Sequence, residues 1–140
     1  MTVEILKSTA RGSILAPPSK SAAHRALICA ALSGKSEIKN IGSNDDIKAT
    51  LSCLQKMGAE VKLTDNGIRI GGLKSEKIKN ETELFVNESG STLRFLIPLC
   101  LNGNKITFKG SKRLFERPLD VYADIFKDNG IAFETGEDFA

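Results

Sequence analysis

The stretch Pro17-Pro18-Ser19-Lys20-Ser21-Ala22-Ala23-His24-Arg25 runs straight into an almost wholly apolar segment, Ala26 to Leu32. Two prolines hold the chain extended and disfavour helix before Ser19. Ser19 or Ser21 can then cap the helix that follows. Lys20 and Ser21 therefore fall at a helix N-terminus, where free backbone N–H groups and the helix dipole favour an anion. Arg25 follows Ser21 by one turn, on the same face. The stretch reads as a grip for a phosphate or carboxylate, with a plain cap and a solvated lysine as the bland alternative. It is not a P-loop, because G-x-x-x-x-G-K-[ST] would need glycines at Ile14 and Ser19.

Working outward, the spacing predicts a first helix from Ser21 to Leu32, apolar nearly all round and so buried on all sides, ending at Gly34. Before it, Thr2 to Leu6 and Ser13 to Ala16 read as short strands. After it, Ser36 to Ile41 reads as a strand, and Gly42 to Asp46 supplies caps and first-turn acids for an amphipathic helix. Ile47, Leu51, Leu54 and Met57 lie on one stripe of that helix, which stops at Gly58. Glu60 to Leu63 and Gly67 to Ile70 form a hairpin around Asp65-Asn66-Gly67. Residues 74 to 82 are polar and loop-like, and Glu83 to Val86 is a strand.

The pattern then begins again. Gly90 to Leu101 reads as a second, nearly all-apolar helix that stops at Gly103, followed by a strand from Lys105 to Lys109. A basic turn runs from Gly110-Ser111 to Arg117-Pro118. Leu119, Tyr122, Ile125 and Phe126 mark a second amphipathic helix, which ends at Gly130, and Ile131 to Glu134 reads as a strand. Arg25 and Arg94 stand 69 positions apart (94 − 25), and Gly34 and Gly103 the same 69 (103 − 34). Gly42-Ser43 corresponds to Gly110-Ser111, and Gly58 to Gly130. Such a period is too long for the usual solenoid repeats and indicates a duplicated α/β unit.

The second copy carries its own polar opening, Asn87-Glu88-Ser89-Gly90-Ser91-Thr92-Leu93-Arg94. Gly90 lets a ligand approach the backbone closely. The bland reading is a cap followed by an arginine that snorkels or pairs with Glu88. Two arginines at matching places on two apolar helices call for charged partners, and a bound anion is one candidate. Lys112 to Pro118 forms a third basic patch, solvated surface in its bland reading. Lys20, Arg25, Arg94 and Arg117 could line one cleft, suited to a small molecule with two or three negative charges.

Composition narrows the alternatives. The chain has 140 residues, with 20 Lys plus Arg against 17 Asp plus Glu, a net charge of +3. That excess, with 6% aromatic residues, does not argue for nucleic acid. Cys29, Cys53 and Cys100 are widely spaced in apolar helical patterns, reading as buried, reduced thiols rather than a disulfide framework or zinc site. The one histidine, His24, excludes a multi-histidine metal site. No apolar signal segment opens the chain, and no run reaches membrane-spanning length.

Taken together, P-x-S-K-S-x-x-x-R at 17–25, S-x-D-D at 43–46 with a helix ending in Met57-Gly58-Ala59, S-G-S-T-x-R at 89–94 and R-x-x-E-R-P at 113–118 resemble the enolpyruvyl transferases. The order and spacing fit nearly the whole chain, and look closer to the shikimate branch than to the branch acting on UDP-N-acetylglucosamine. The resemblance implies duplicated βαβαββ-type units, with buried helices packed against mixed sheets. Residues 17–86 would be the first unit and 87–140 an incomplete second, while residues 1–16 would belong to another lobe. It implies transfer of the carboxyvinyl group of phosphoenolpyruvate to the 5-hydroxyl of shikimate 3-phosphate, in chorismate and aromatic amino acid biosynthesis, by a cytoplasmic monomer that is a glyphosate target. No metal or organic cofactor is implied. Lys20, Ser21 and Arg25 would hold shikimate 3-phosphate, and Lys20, Gly90 and Arg117 phosphoenolpyruvate, with Ser91 and Arg94 near. Pro18 stands where many relatives have glycine, and Glu88 where many have asparagine, so no contact is carried to Glu88. Family members are roughly three times as long, a size expected of several domains. Their proton-transfer groups lie further on, so a fragment inactive alone is expected. A stand-alone anion-binding module and a structural α/β repeat remain the competing readings.

Overall fold

The computed structural model describes residues 2–4, 6–9, 11–74 and 78–140. The chain is mixed α/β. Its elements are α1 (Lys20–Ser33), β1 (Lys35–Lys39), α2 (Asp45–Lys56), β2 (Val61–Thr64), β3 (Gly67–Gly71), β4 (Thr82–Asn87), α3 (Gly90–Leu96), β5 (Ile106–Gly110), α4 (Lys112–Phe115) and α5 (Asp120–Asp128). Two sheets form. One is antiparallel in the order β1-β3-β2, and the other pairs β4 with β5 in parallel.

Local chemistry explains most boundaries. Ser19 caps α1, its hydroxyl accepting from the Ala22 N–H at 3.3 Å, and Asn44 caps α2 by accepting from Ile47 N–H at 3.0 Å. Such caps contribute about 1 kcal/mol each. The first-turn acids of α2, Asp45 and Asp46, complement its dipole. Gly34 and Gly103, which stand 69 positions apart in the sequence, both take a left-handed φ, +103° and +83°, which a side chain would strain. Asp65 and Asn66 make the two-residue turn between β2 and β3, as expected. Along β4, Leu84 and Val86 face the core while Glu83 and Phe85 face outward. Helix α2 lies along this strand, with Lys56 Nζ donating to Glu83 O at 3.1 Å. Leu27, Leu54, Met57, Ile70, Leu84, Leu93 and Leu96 fill one continuous core.

The structure departs from the sequence reading in several places, each with a physical cause. Helix α1 is not buried all round: Ala23, His24, Leu27, Ala30 and Ala31 are buried, while Leu32 is 58% exposed and Cys29 is exposed. Its described neighbours, β1, β3, α2 and α3, cover one side only. Cys29 is therefore not the buried thiol expected, whereas Cys53 and Cys100 are buried. The second apolar helix stops at Leu96 rather than Leu101, and Pro98 begins one 3₁₀ turn, Pro98–Cys100. Proline has no N–H for the Arg94 carbonyl one turn back, and its ring crowds that carbonyl. The freed Arg94 oxygen accepts instead from the Tyr122 hydroxyl at 3.0 Å. The basic turn is not all loop, because Ser111 caps the single helical turn α4.

Three expected strands do not form. Thr2–Leu6 is not a strand at residues 2–4 and 6, and Ile5 lies outside the described residues. Ser13–Ala16 has no ladder partner among the described residues, leaving Ile14 and Leu15 each 91% exposed. Residues 131–134 are not a strand, because the second edge of β5 is already taken: Phe108 and Ala140 exchange N–H···O bonds of 2.7 and 3.0 Å. Phe133 instead packs edge-on against Phe126, 5.3 Å between ring centres. Part of the loop expected at 74–82, residues 75–77, lies outside the described residues.

The one-sided burial of α1 makes a direct test. Leu27→Ala, at the fully buried side, should lower the unfolding free energy by about 2–5 kcal/mol. Leu32→Ala on the exposed side should change it by no more than about 0.5 kcal/mol. Urea unfolding of both variants checks this, and equal losses would mean that α1 is covered on both sides.

Candidate functional site

The first turns of α1, α2 and α3 meet at one end of the core, because their polar side chains bond one another there. His24 Nδ1 lies 2.8 Å from Thr50 Oγ1, Thr50 Oγ1 lies 2.7 Å from Thr92 Oγ1, and Thr92 Oγ1 lies 2.7 Å from Ser89 Oγ. All four residues are buried. Ser89 also caps α3, accepting from Thr92 N–H at 3.2 Å. His24 Nε2 is buried without a partner. A buried N–H left unpaired is rarer than an unpaired acceptor, so the neutral ring carries its proton on Nδ1 and donates to Thr50.

Above this chain of bonds opens a cleft of about 470 Å³ lined by Lys20, Asp46, Glu88, Gly90, Ser91, Arg94, Phe95 and Arg117. Lys20 Nζ donates to Asp46 Oδ2 at 2.8 Å. Arg94 Nη2 donates to Pro118 O at 3.2 Å, so its guanidinium is held by the segment leading into α5. Glu88 Oε1 lies 3.7 Å from Arg117 Nη2 and 3.4 Å from Arg113 Nε. A Cβ built on Gly90 would come within 2.9 Å of Arg94 Nη1 and 3.0 Å of Arg117 Nη1. The absent side chain is what lets both guanidinium ends approach the start of α3.

Five of the residues singled out from the sequence, Lys20, Gly90, Ser91, Arg94 and Arg117, thus line one cleft. Ser21 and Arg25 do not line it; both are exposed on α1. Of the four cations expected together, three are there. Sequence reasoning did not foresee Asp46 as the partner of Lys20, Phe95 in the lining, or the buried hydroxyl chain. The acids of S-x-D-D signalled a cap, but nothing in their spacing pointed across to α1. Three cations against two carboxylates leave the cleft one positive charge. It can hold a small anion by charge, at the guanidinium ends gathered over Gly90.

Other chemistries have less support. Burial pushes the Cys53 and Cys100 thiols up to about 12, so neither is poised as a nucleophile. Among the described residues no three His, Cys, Asp or Glu side chains gather as a metal site. A second concavity of about 480 Å³ lies on the three-stranded sheet, where Arg69 pairs with Glu37 at 3.0 Å across neighbouring strands and Glu60 with Lys74 at 2.9 Å.

Residues 6–140 match the family described as EPSP synthase (3-phosphoshikimate 1-carboxyvinyltransferase). A Clostridium botulinum (strain Alaska E43 / Type E3) protein named 3-phosphoshikimate 1-carboxyvinyltransferase is 45% identical over 138 residues, covering 94% of this chain and 32% of that protein. A protein of the same name from Clostridium perfringens (strain SM101 / Type A) is 44% identical, covering 97% of this chain and 32% of its own length. The solved structure of EPSP synthase from Acinetobacter baumannii is similar with a TM-score of 0.72 at 25% identity, over 91% of this chain and 30% of that one. The chain spans about a third of the length of the relatives it matches.

The buried histidine carries a pH signature. Burial holds the imidazole below its ordinary 6.5, with Asp46 opposing and Lys20 adding to the shift. The unfolded chain therefore takes up a proton that the folded chain refuses. The stability linked to neutral His24 is fully present above pH 6.5 and is lost as pH falls below it. His24→Asn keeps an amide donor for Thr50 and cannot titrate in this range. Between pH 7.5 and 5 the urea midpoint of the wild type should fall more than that of His24→Asn, and parallel falls would show that His24 is protonated in the fold.

Proposed function

We propose, since the chain belongs to the EPSP synthase family, that it supplies one wall of the substrate cleft in a protein that transfers the carboxyvinyl group of phosphoenolpyruvate to the 5-hydroxyl of shikimate 3-phosphate. The observation that carries this reading is the convergence of Lys20, Arg94 and Arg117 around Gly90 in one cleft. Both substrates are anions, and both must be brought together against their mutual repulsion. Fixed cations offset that repulsion and hold the two molecules in reacting geometry. Lys20 stands at the mouth, placed to contact both. Gly90 and Arg117 serve phosphoenolpyruvate, with Ser91 and Arg94 beside them. Ser21 and Arg25, exposed on the first turns of α1, reach shikimate 3-phosphate where it extends past the cleft.

The cleft's single excess positive charge is too little for two such anions, so further cations come from the rest of the family's length. Proton transfer resides there as well, and the 140 residues alone form no product. The reaction needs no metal or organic cofactor, belongs to chorismate and aromatic amino acid biosynthesis, and takes place in the cytoplasm on a monomer. No described helix is long and apolar enough to cross a membrane.

Two measurements test the assignment in the protein of full family length. Arg25→Ala should weaken shikimate 3-phosphate binding by about ten- to a hundredfold, the effect of one or two charged hydrogen bonds; an unchanged dissociation constant removes Arg25 from the site. Gly90→Ala should keep the melting temperature and raise the Michaelis constant for phosphoenolpyruvate, because its methyl group displaces the ends of Arg94 and Arg117. An unchanged constant means that Gly90 does not shape the pocket.

A further inference from the structure

Lys20 and Asp46 are 26 residues apart, and so are His24 and Thr50. Each helix contributes two residues one turn apart, so α1 and α2 run side by side here and are joined by two rungs. The outer rung is the Lys20–Asp46 ion pair, with side chains 56% and 30% exposed. The inner rung, His24–Thr50, is buried, and α3 joins it through Thr92. Thr50 Oγ1 also lies 3.2 Å from the Asp46 carbonyl, and Thr92 Oγ1 lies 3.4 Å from the same oxygen.

We infer that Thr50 is a positioning residue: by fixing the inner rung it sets the height at which Asp46 presents the Lys20 ammonium to the cleft. An exposed lysine–carboxylate pair contributes only about 0–1 kcal/mol and cannot by itself dictate how two helices align. The buried rung can, because leaving the His24 N–H without a partner costs a desolvation penalty that solvent does not return. With the His24 proton on Nδ1, His24 donates to Thr50, the single Thr50 proton faces both Thr92 Oγ1 and the Asp46 carbonyl, and Thr92 donates to Ser89. Thr50 is the only member in contact with all three helices, and it lies one turn from Asp46 on the same face of α2. The consequence for anion binding rests on the reading of the cleft given above, whereas the placement of Lys20 does not.

The test uses this chain with its lysine ammonium groups observed directly by ¹H–¹⁵N NMR and inorganic phosphate as the probe. The Lys20 signal, assigned by its loss in Lys20→Arg, should be visible in the wild type because the ion pair slows proton exchange. In Thr50→Val, which keeps the shape and removes the hydroxyl, it should be broadened away. Thr50→Ser should restore it, even where the two variants differ little in melting temperature. Should Thr50→Val fail to fold, Thr50→Ala removes the same hydroxyl from a smaller side chain and should weaken the same signal. Phosphate affinity should fall by about two- to fivefold alongside the signal. A wild-type Lys20 signal that persists in a folded Thr50→Val or Thr50→Ala protein overturns the inference. If the wild type binds no phosphate, the anion reading of the cleft fails, and the Lys20 signal still decides the role of Thr50.

Discussion

A polar side chain that enters a core must find its hydrogen bonds there, because water no longer supplies them. Among the described residues four enter this one, His24, Thr50, Ser89 and Thr92, and they bond one another, with His24 Nε2 alone of their polar side-chain atoms left without a partner. They come from three helices and from the first two turns of each. Mutual satisfaction therefore requires those first turns to meet at one point. Lys20 lies one turn before His24, Asp46 one turn before Thr50, and Gly90 directly after Ser89. The cleft forms over the bonded chain because its lining residues are the outward neighbours of the buried ones.

A second constraint aligns the far wall. Pro98 ends α3 and releases the Arg94 carbonyl, which the Tyr122 hydroxyl takes up. The Arg94 guanidinium meanwhile bonds the Pro118 carbonyl. Arg94 is thus tied at both ends to the 118–122 segment, and that segment fixes Arg117 immediately before it. Phe126 and Tyr122, whose rings lie 6.0 Å apart, seat α5 against the core. The interruption of a helix by one proline is in this way linked to the placement of two arginines.

Much of this was legible in the sequence. The caps Ser19, Asn44 and Ser89, the stop glycines and the Asp65-Asn66 turn depend on neighbours a few residues away, and each stands near where the sequence places it. What required distant partners was misread. Apolar residues all round α1 promised burial on all sides, but hydrophobicity states what a surface would gain by being covered, not what covers it. Residues 13–16 and 131–134 have strand-like composition, yet a strand exists only where another offers its hydrogen bonds. Pro98 is a local signal that ends α3 despite the apolar run that continues past it. The buried hydroxyl chain was not legible at all. A threonine inside an amphipathic helix reads as surface, and nothing local distinguishes Thr50 or Thr92 from that default. The site residues divided the same way: Lys20, Gly90, Ser91, Arg94 and Arg117 came together, while Ser21 and Arg25 stayed outside the lining.

The two carboxylates in the cleft bear on how such a site can be both ordered and receptive. Three cations brought together without counter-charge would repel one another and spread into solvent. Asp46 and Glu88 hold Lys20 and Arg117 toward the cleft, at 2.8 and 3.7 Å. Neither pair is buried: the side chains of Lys20 and Arg117 are 56% and 43% exposed. Pairs of this kind contribute about 0–1 kcal/mol each, whereas a bidentate bond from an arginine to a phosphate or carboxylate is roughly twice as strong as a neutral hydrogen bond. On the proposed reading of the cleft, an arriving dianion would displace the carboxylates at small cost and find the cations already facing it. Burying the same pairs would have ordered the cations more firmly, and breaking a buried pair costs about 3–5 kcal/mol. Half-exposure is the condition under which the cleft stays assembled when empty and yields when filled.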